Sequence, residues 1–162
     1  RDINAYVRSI KAQSADIIVF STDLSLETSK LVARFVKLAD KVSKNENVKI
    51  VVMDRAVNFG NLHSEAIGAY ARGASPADIN GYALNMDKGP RVSDVINAAL
   101  SEAGVLDDVI VVSKRRLQCS ETSCDFFTED GDLAVYDYSH WTLKGSKIFM
   151  SRFVDLYPDL FQ

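Results

Sequence analysis

The 162 residues, of which 47% are hydrophobic and 25% charged, lie in the range of one globular domain that can bury its own core. We therefore predict a single domain over residues 1–162. The formal net charge of -3 argues against a nucleic-acid partner, because affinity for phosphates comes largely from clustered Lys and Arg, and no window approaches the roughly 20 apolar residues of a membrane-spanning helix.

Two short apolar runs predict parallel strands joined by a helix. Residues 15–21 contain Asp-Ile-Ile-Val-Phe, and residues 48–54 read Val-Lys-Ile-Val-Val-Met-Asp. Continuous β-branched runs of this kind are typical of strands buried on both faces. Between them, apolar residues recur at a spacing of three and four over residues 25–44, which predicts an amphipathic helix capped by Ser25 or Thr22.

Helices are predicted in the middle of the chain. The Gly-, Ala- and Asn-rich residues 59–86 suggest short helices outside the sheet, and Pro76 opens one of them. Residues 90–103 predict a further helix, which ends at Gly104 because glycine is the favoured residue just after a helix.

The last third of the chain predicts one strand, one turn and one long helix. Residues 109–113 form the strand, and we interpret the basic residues 114–116 as its solvated end. A hairpin-like turn follows around residues 129–132, and the final helix covers residues 142–157. Alternating strands and helices predict an α/β fold, a three-layer α/β/α sandwich around a parallel, flavodoxin-like sheet, with reactive groups in the loops beyond the carboxyl ends of the strands.

The only two cysteines, Cys119 and Cys124, are separated by four residues in a polar stretch. This spacing fits a local disulfide, which would place the domain in an oxidising compartment, and two free thiols are the alternative. A zinc site needs about four ligands, and His63 and His140 are far away in sequence, so we predict no metal. A redox-active pair usually has two intervening residues.

Asp137 and His140 are the residues best placed for chemistry. An Asp three residues before a His, in a loop that enters a helix, lets the carboxylate contact the imidazole and fix its tautomer. Such a His can act as general base toward a hydroxyl nucleophile. Taken alone, the spacing also fits an ordinary surface pair near a helix N-terminus.

The surrounding stretch resembles the last motif of SGNH hydrolases, in which Asp-x-x-His is followed by a hydrophobic residue, Thr or Ser, two residues and Gly. The matching residues are Asp137, His140, Trp141, Thr142 and Gly145. The cysteine pair, the acidic turn and Tyr136 look like the version that is fused to membrane O-acyltransferases of the acyltransferase-three type. The resemblance covers most of the chain, but only the last 45 residues or so carry its specific motifs.

The resemblance implies acyl transfer to, or ester hydrolysis on, hydroxyl groups of a cell-surface glycan. Its partners would be an acyl donor, a glycan acceptor and a membrane acyltransferase domain of the parent protein, and its location would be extracytoplasmic. Asp137 and His140 would be catalytic, Trp141 could line the substrate pocket, and neither a cofactor nor a metal would be needed. The family's Gly-Asp-Ser and Gly-x-Asn-Asp motifs are not found in these residues, so we expect the nucleophilic serine upstream of Arg1.

Four other interpretations stay open. The chain could be a non-catalytic relative that binds glycans or partners. It could instead use Ser21, although helix capping explains Ser21 and Ser25 adequately and the sequence around them lacks the glycines of a sharp turn. Trp141 could simply pack the final helix onto the sheet, and His63 could be an exposed loop residue.

Overall fold

The computed structural model describes residues 16–21, 36–37, 48–86, 92–104 and 106–161. In chain order its strands and α-helices are β1 (Ile17–Ser21), β2 (Lys49–Met53), α1 (Leu62–Ala71), α2 (Pro76–Met86), α3 (Val92–Glu102), β3 (Val109–Val112), α4 (Lys114–Gln118) and α5 (Leu143–Leu156). The chain divides into two compact units: unit 1 is Arg1–Arg55 with Arg91–Ser113, and unit 2 is Ala56–Pro90 with Lys114–Gln162. A single domain over residues 1–162 stays a prediction.

Unit 1 contains a parallel sheet in the order β1-β2-β3. Ile17 pairs with Lys49 at the start of the first ladder, and Ile50 pairs with Val109 at the start of the second. The three apolar runs of the sequence therefore form strands as predicted, within one or two residues of the expected bounds.

Burial differs between the middle strand and β1. In β2 the side chains from Ile50 to Met53 are buried, as expected for a strand covered on both faces. In β1 only Ile18 is buried, whereas Val19 is 48% exposed. Successive side chains of a strand point to opposite faces, so the face that carries Val19 is open. The prediction that this first strand is buried on both faces was wrong.

Helix α3 packs on the sheet through one apolar face. Ile96 and Leu100 are four residues apart, so they share that face, and they join Val109 in one buried cluster. Gly104 has a φ of +72°, a left-handed conformation that ends the helix, as the sequence predicted.

The predicted helix over residues 25–44 lies mostly outside the described residues. Residues 36 and 37 are described and are helical. Ser25 and Thr22, its candidate caps, fall outside the described residues, as does Pro90 at the start of the helix predicted over residues 90–103.

Unit 2 begins with the helix pair α1 and α2. Helix α2 starts at Pro76, as predicted, and a reciprocal cap precedes it: Ser75 Oγ accepts a hydrogen bond from the Asp78 amide, and Asp78 Oδ2 accepts one from the Ser75 amide. None of the helices in the described part of the chain is long and apolar enough to cross a membrane.

The basic residues 114–116 belong to helix α4, not to a solvated strand end, so this prediction was wrong. Leu117 and Gln118 are buried on the same short helix, and Lys114 and Arg115 are half-buried. A helix of five residues is too short to show a period of 3.6 in its sequence, so the basic run gave no helical signal.

The core of unit 2 is aromatic and is fixed by one polar side chain. Phe59, Phe126 and Phe127 are buried together, with edge-on ring contacts between neighbours. Asn80 of α2 accepts hydrogen bonds from the amides of Phe126 and Phe127 and donates one to the Phe127 carbonyl. These bonds satisfy backbone groups that no helix or strand pairs, so an irregular segment can be buried here.

The acidic turn (residues 128–132) is a hairpin-like excursion, as predicted. An antiparallel bridge between Phe127 and Leu133 closes it, and Gly131 has a φ of +82°. The final helix α5 lies within one residue of its predicted bounds at each end.

Candidate active site

Asp137 and His140 are in direct contact. His140 Nδ1 lies 2.6 Å from Asp137 Oδ2, and the two side chains are 59% and 31% exposed. His140 Nε2 makes no hydrogen bond with any described residue. The structure thus brings the two predicted residues together, on an exposed histidine whose second ring nitrogen has no partner among the described residues.

The two residues lie in the dyad loop (residues 136–140), which is closed at its base. Val135 and Trp141 form an antiparallel bridge, and the Tyr136 amide donates a hydrogen bond of 3.0 Å to the His140 carbonyl. Val135 is fully buried, so the loop projects from a fixed base.

The second carboxylate oxygen of Asp137 holds the backbone of the loop. Asp137 Oδ1 accepts hydrogen bonds of 2.8 Å from the amides of Ser139 and His140. Desolvation by burial raises the pKa of Asp137. The hydrogen bonds from these two amides and the contact with the His140 imidazole together lower it by more, so the pKa lies below its ordinary value. The carboxylate is therefore ionised at neutral pH and accepts the Nδ1 proton, which leaves the lone pair of a neutral imidazole on Nε2.

The motif residues Thr142 and Gly145 explain how the loop enters helix α5. Thr142 is the N-cap: its Oγ1 accepts a hydrogen bond from the Gly145 amide and donates one to the Leu133 carbonyl. A Cβ on Gly145 would lie 2.8 Å from the Ala134 carbonyl carbon. Glycine is therefore required by the close approach of the helix to the preceding strand-like segment.

Trp141 packs against the first half of α5. Its ring lies edge-on to Phe149 with centroids 4.8 Å apart, and its Nε1 donates a hydrogen bond of 3.0 Å to Gln118 Oε1. Lys114 Nζ lies 5.8 Å from the ring centroid, within the range of a cation–π contact. The packing interpretation of Trp141 accounts for these contacts, and a substrate-binding role stays a prediction.

A disulfide joins Cys119 and Cys124, in agreement with the spacing in the sequence. Arg152 of α5 binds the residues on either side of the loop that the disulfide closes: it pairs with Asp125 at 2.7 Å and donates a hydrogen bond to the Leu117 carbonyl. The buried Gln118 connects this region to Trp141. Gln118 was not among the predicted residues, and no signal in the sequence identifies its partner.

A second segment of unit 2 contacts the dyad loop through the backbone. The Phe59 amide donates a hydrogen bond of 2.8 Å to the Tyr138 carbonyl. Gly60, with a φ of +55°, follows in a turn that the Asn58 side chain closes through a bond to the Gly60 amide. Tyr138 was also missed, although an aromatic residue between Asp137 and His140 in the motif is a visible signal.

The other candidate residues lie on other elements of the chain or outside the described residues. His63 lies in the first turn of α1, half-buried, with its ring centroid 5.9 Å from that of Phe126. The prediction that His63 is an exposed loop residue was therefore wrong. Ser21 ends β1 in unit 1, and Ser25 falls outside the described residues.

Lys144 pairs with the acidic turn. Its Nζ contacts Asp132 Oδ2 and lies 3.0 Å from Asp130 Oδ2. Hydrogen bonds to Asp132 and Asp130 raise the pKa of Lys144 above its ordinary value. In the part of the chain that the structure describes, no three His, Cys, Asp or Glu side chains are grouped so that they could hold a metal ion.

A cavity of about 420 Å³ lies in unit 2 between α1 and α2. Its lining is mostly apolar, with Leu62, Ala66 and Ile79 at its buried side and Arg72 among its charged residues. Neither Asp137 nor His140 lines this cavity.

One solved structure is similar over nearly the whole chain. It is the periplasmic domain of a lipopolysaccharide acetyltransferase from Salmonella ser. Paratyphi A, with a TM-score of 0.66 and 12% sequence identity. The match covers 94% of this chain and 60% of that one, so this chain spans about three fifths of the length of that domain. At this identity the likeness concerns the fold, and it confirms the predicted α/β/α class with a parallel sheet.

No protein-family model matches the sequence, and no curated protein matches it either.

Proposed function

We propose that the protein transfers an acyl group to, or removes one from, a hydroxyl of a cell-surface glycan, with Asp137 and His140 as part of a serine-type catalytic centre. The observation that carries this proposal is the 2.6 Å contact between Asp137 Oδ2 and His140 Nδ1, on an exposed imidazole whose Nε2 has no hydrogen bond to a described residue. An imidazole that a carboxylate orients through one nitrogen can use its other nitrogen as the base for a hydroxyl nucleophile.

In the proposed reaction His140 Nε2 takes the proton of a serine hydroxyl as the serine oxygen attacks the acyl carbonyl. The negative charge that develops on the carbonyl oxygen is stabilised by backbone or amide donors. Collapse of the tetrahedral intermediate releases the donor's leaving group, to which His140 returns the proton, and leaves an acyl-serine. A glycan hydroxyl or water then attacks the acyl-serine, again with His140 as base, so transfer and hydrolysis differ only in the second acceptor.

Asp137 has two roles in this scheme. Its Oδ2 orients the imidazole and stabilises the imidazolium that forms when Nε2 takes a proton. Its Oδ1 binds two amides of the same loop, which keeps the carboxylate in place and ionised. Both roles follow from contacts within the dyad loop.

The similar Salmonella domain supports the acyl-transfer chemistry and the class of acceptor. It belongs to a lipopolysaccharide acetyltransferase, which suggests acetyl as the acyl group and a glycan as acceptor. The disulfide between Cys119 and Cys124 and the periplasmic location of that domain support an extracytoplasmic location for this one. Attachment to a membrane acyltransferase domain is part of the same proposal.

We further propose that the nucleophilic serine lies upstream of Arg1. The 162 residues contain no Gly-Asp-Ser, and in the nearest string, Gly131-Asp132-Leu133, leucine stands at the position of the serine. The same observation favours one alternative, a non-catalytic module with this fold that binds a glycan or a protein partner. Ser21 as the nucleophile of a complete small esterase is the weaker alternative.

Hydrolysis of p-nitrophenyl acetate tests the proposal. It is measured for this chain, for a version extended upstream, and for His140→Ala in each. We expect activity in the extended protein only, with a loss of about 1,000-fold in His140→Ala. The matched control is His63→Gln, a change of the only other histidine, which should keep most of the activity. Activity in neither folded protein would contradict the enzymatic proposal, and loss in Ser21→Ala would favour the complete esterase.

A further inference from the structure

Two exposed tyrosines flank the imidazole of His140. Tyr136 is 55% exposed and Tyr138 is 50% exposed. The Tyr136 ring lies nearly parallel to the imidazole, at an interplanar angle of 18° and a centroid distance of 5.6 Å. Tyr138 meets the imidazole at 63° and 6.1 Å. Single exposed aromatic residues are ordinary on protein surfaces, but these two both contact one exposed imidazole, and together with it they form an aromatic patch.

The backbone of both tyrosines is fixed before any ligand arrives. The Tyr136 amide binds the His140 carbonyl, and the Tyr138 carbonyl accepts a hydrogen bond from the Phe59 amide. Asp137, which lies between the two tyrosines, binds two further amides of the loop. Binding of a ligand to these rings therefore requires little loss of conformational entropy in the loop backbone.

The chemistry of the patch fits a sugar ring. A tyrosine offers a flat apolar face with a polar hydroxyl at its edge, and it has only two side-chain torsions to immobilise. A pyranose offers the complementary surface, a flat face of C–H groups with hydroxyls around its rim. A sugar stacked on either ring would hold its hydroxyls at the border of His140, which is the group that would take or return the proton of a reacting hydroxyl.

We propose that Tyr136 and Tyr138 form a binding site for a pyranose unit of the glycan and position its hydroxyl toward His140 Nε2. This inference rests on the proposed function and adds to it the residues that recognise the sugar. Tyr136 is stacked with the imidazole and Tyr138 lies edge-on to it, so both rings lie beside the group that would take the proton.

The test is saturation-transfer difference NMR of the 162-residue chain with methyl α-D-glucopyranoside, methyl α-D-galactopyranoside and methyl α-D-mannopyranoside. Sorbitol serves as the control ligand, because it carries hydroxyls but has no ring face. We expect transfer to the ring C–H protons of at least one pyranoside and none to sorbitol. Tyr136→Ala and Tyr138→Ala should each weaken binding by about two- to tenfold, the factor that corresponds to one aromatic contact.

Two further variants make the test specific. Tyr136→Phe keeps the apolar ring and should retain most of the binding that Tyr136→Ala loses. Tyr82→Ala removes a tyrosine of equal exposure from the α1–α2 cavity and should bind the sugars like the parent chain. Folding of each variant is checked by its amide NMR spectrum.

Absence of pyranoside binding, or equal binding by the parent chain and both alanine variants, would overturn the inference. The p-nitrophenyl acetate assay carries no sugar and reports on the proposed function separately. Activity without tyrosine-dependent sugar binding would overturn the sugar site and leave the proposed function standing. Tyrosine-dependent binding without activity in the extended protein would support the sugar site and favour the non-catalytic module.

Discussion

Two consecutive loops of unit 2 are built alike and carry different chemistry. The acidic turn is closed by the bridge between Phe127 and Leu133, and the dyad loop is closed by the bridge between Val135 and Trp141. In the acidic turn, Asp130 and Asp132 contact Lys144 at the start of α5. In the dyad loop, Asp137 contacts His140 of the same loop. Both loops therefore contain a contact between a carboxylate and a basic group, but only one of these contacts suits a reaction.

The difference lies in what remains available on the basic group. In the acidic turn, Lys144 is a point charge shared by Asp130 and Asp132, and both partners raise its pKa, so it holds its proton. In the dyad loop, Asp137 binds one nitrogen of His140, and the other nitrogen has no hydrogen bond to a described residue. A carboxylate beside a cation is an ordinary surface feature, whereas a histidine with one buttressed and one free nitrogen can move a proton.

The largest effect is expected from a change that removes the support common to both loops. Gly145→Ala should lower the free energy of unfolding by about 3 kcal/mol, because the new methyl group collides with the Ala134 backbone between the loops. Urea denaturation measures this. Gly81→Ala is the control: the site is open, the residue lies inside α2, and the change should raise stability by about 0.5–1 kcal/mol. Equal stability of Gly145→Ala and the parent chain would refute the close approach.

Breaking the disulfide acts upstream of both loops. Reduction of Cys119–Cys124 should lower the free energy of unfolding by about 2 kcal/mol, the value expected for so short a closed loop. Denaturant titrations with and without reductant give the difference. The double variant Cys119→Ser/Cys124→Ser should resemble the reduced chain and ignore the reductant. Identical midpoints for the oxidised and reduced chains would mean that the surrounding contacts hold the loop alone.

A smaller effect should distinguish the dyad loop by its response to acid. Because the pKa of Asp137 is lowered in the folded chain, its ionised form adds stability above the pKa of the unfolded chain. That contribution is lost as the pH falls through the lowered, folded-state pKa. Asp137→Asn should therefore show a shallower decline of stability in acid, measured by thermal unfolding between pH 7 and pH 2. A parallel decline in both proteins would contradict the assigned pKa shift.

The smallest effect is expected in the acidic turn. Lys144→Met should leave the urea midpoint of unfolding close to that of the parent chain, since its ion pairs are exposed and screened by salt. Lys147→Met, on an exposed position of α5, is the matched control. A clear fall of the midpoint in Lys144→Met but not in Lys147→Met would contradict the view that the ion pairs of the acidic turn contribute little to stability.

The sequence predicted the three strands of unit 1 and helices α2, α3 and α5 because their patterns are local. The β-branched runs identified β1, β2 and β3, and the Asp-x-x-His spacing identified the contact between Asp137 and His140. Val19 escaped prediction because exposure of one face of β1 depends on what packs there, not on the run itself. Helix α4 was not predicted because five residues are too few to show a helical period.

The polar anchors of unit 2 could not be predicted for a different reason. Asn80 binds the backbone of Phe126 and Phe127, which are 46 and 47 residues away, and Gln118 binds Trp141 across 23 residues. Such contacts are specified by three-dimensional proximity and by the need to satisfy buried backbone groups. A single Asn or Gln in a sequence gives no indication of its partner.

The most direct test of the account is the tautomer of His140, read from the ring ¹⁵N chemical shifts of the 162-residue chain at mildly alkaline pH. The account predicts a proton on Nδ1, bound to Asp137, and a lone pair on Nε2, and it predicts that Asp137→Asn changes this population. A predominant Nε2–H tautomer, or one unaffected by Asp137→Asn, would contradict the claim that this pair is poised to take a proton from a nucleophile.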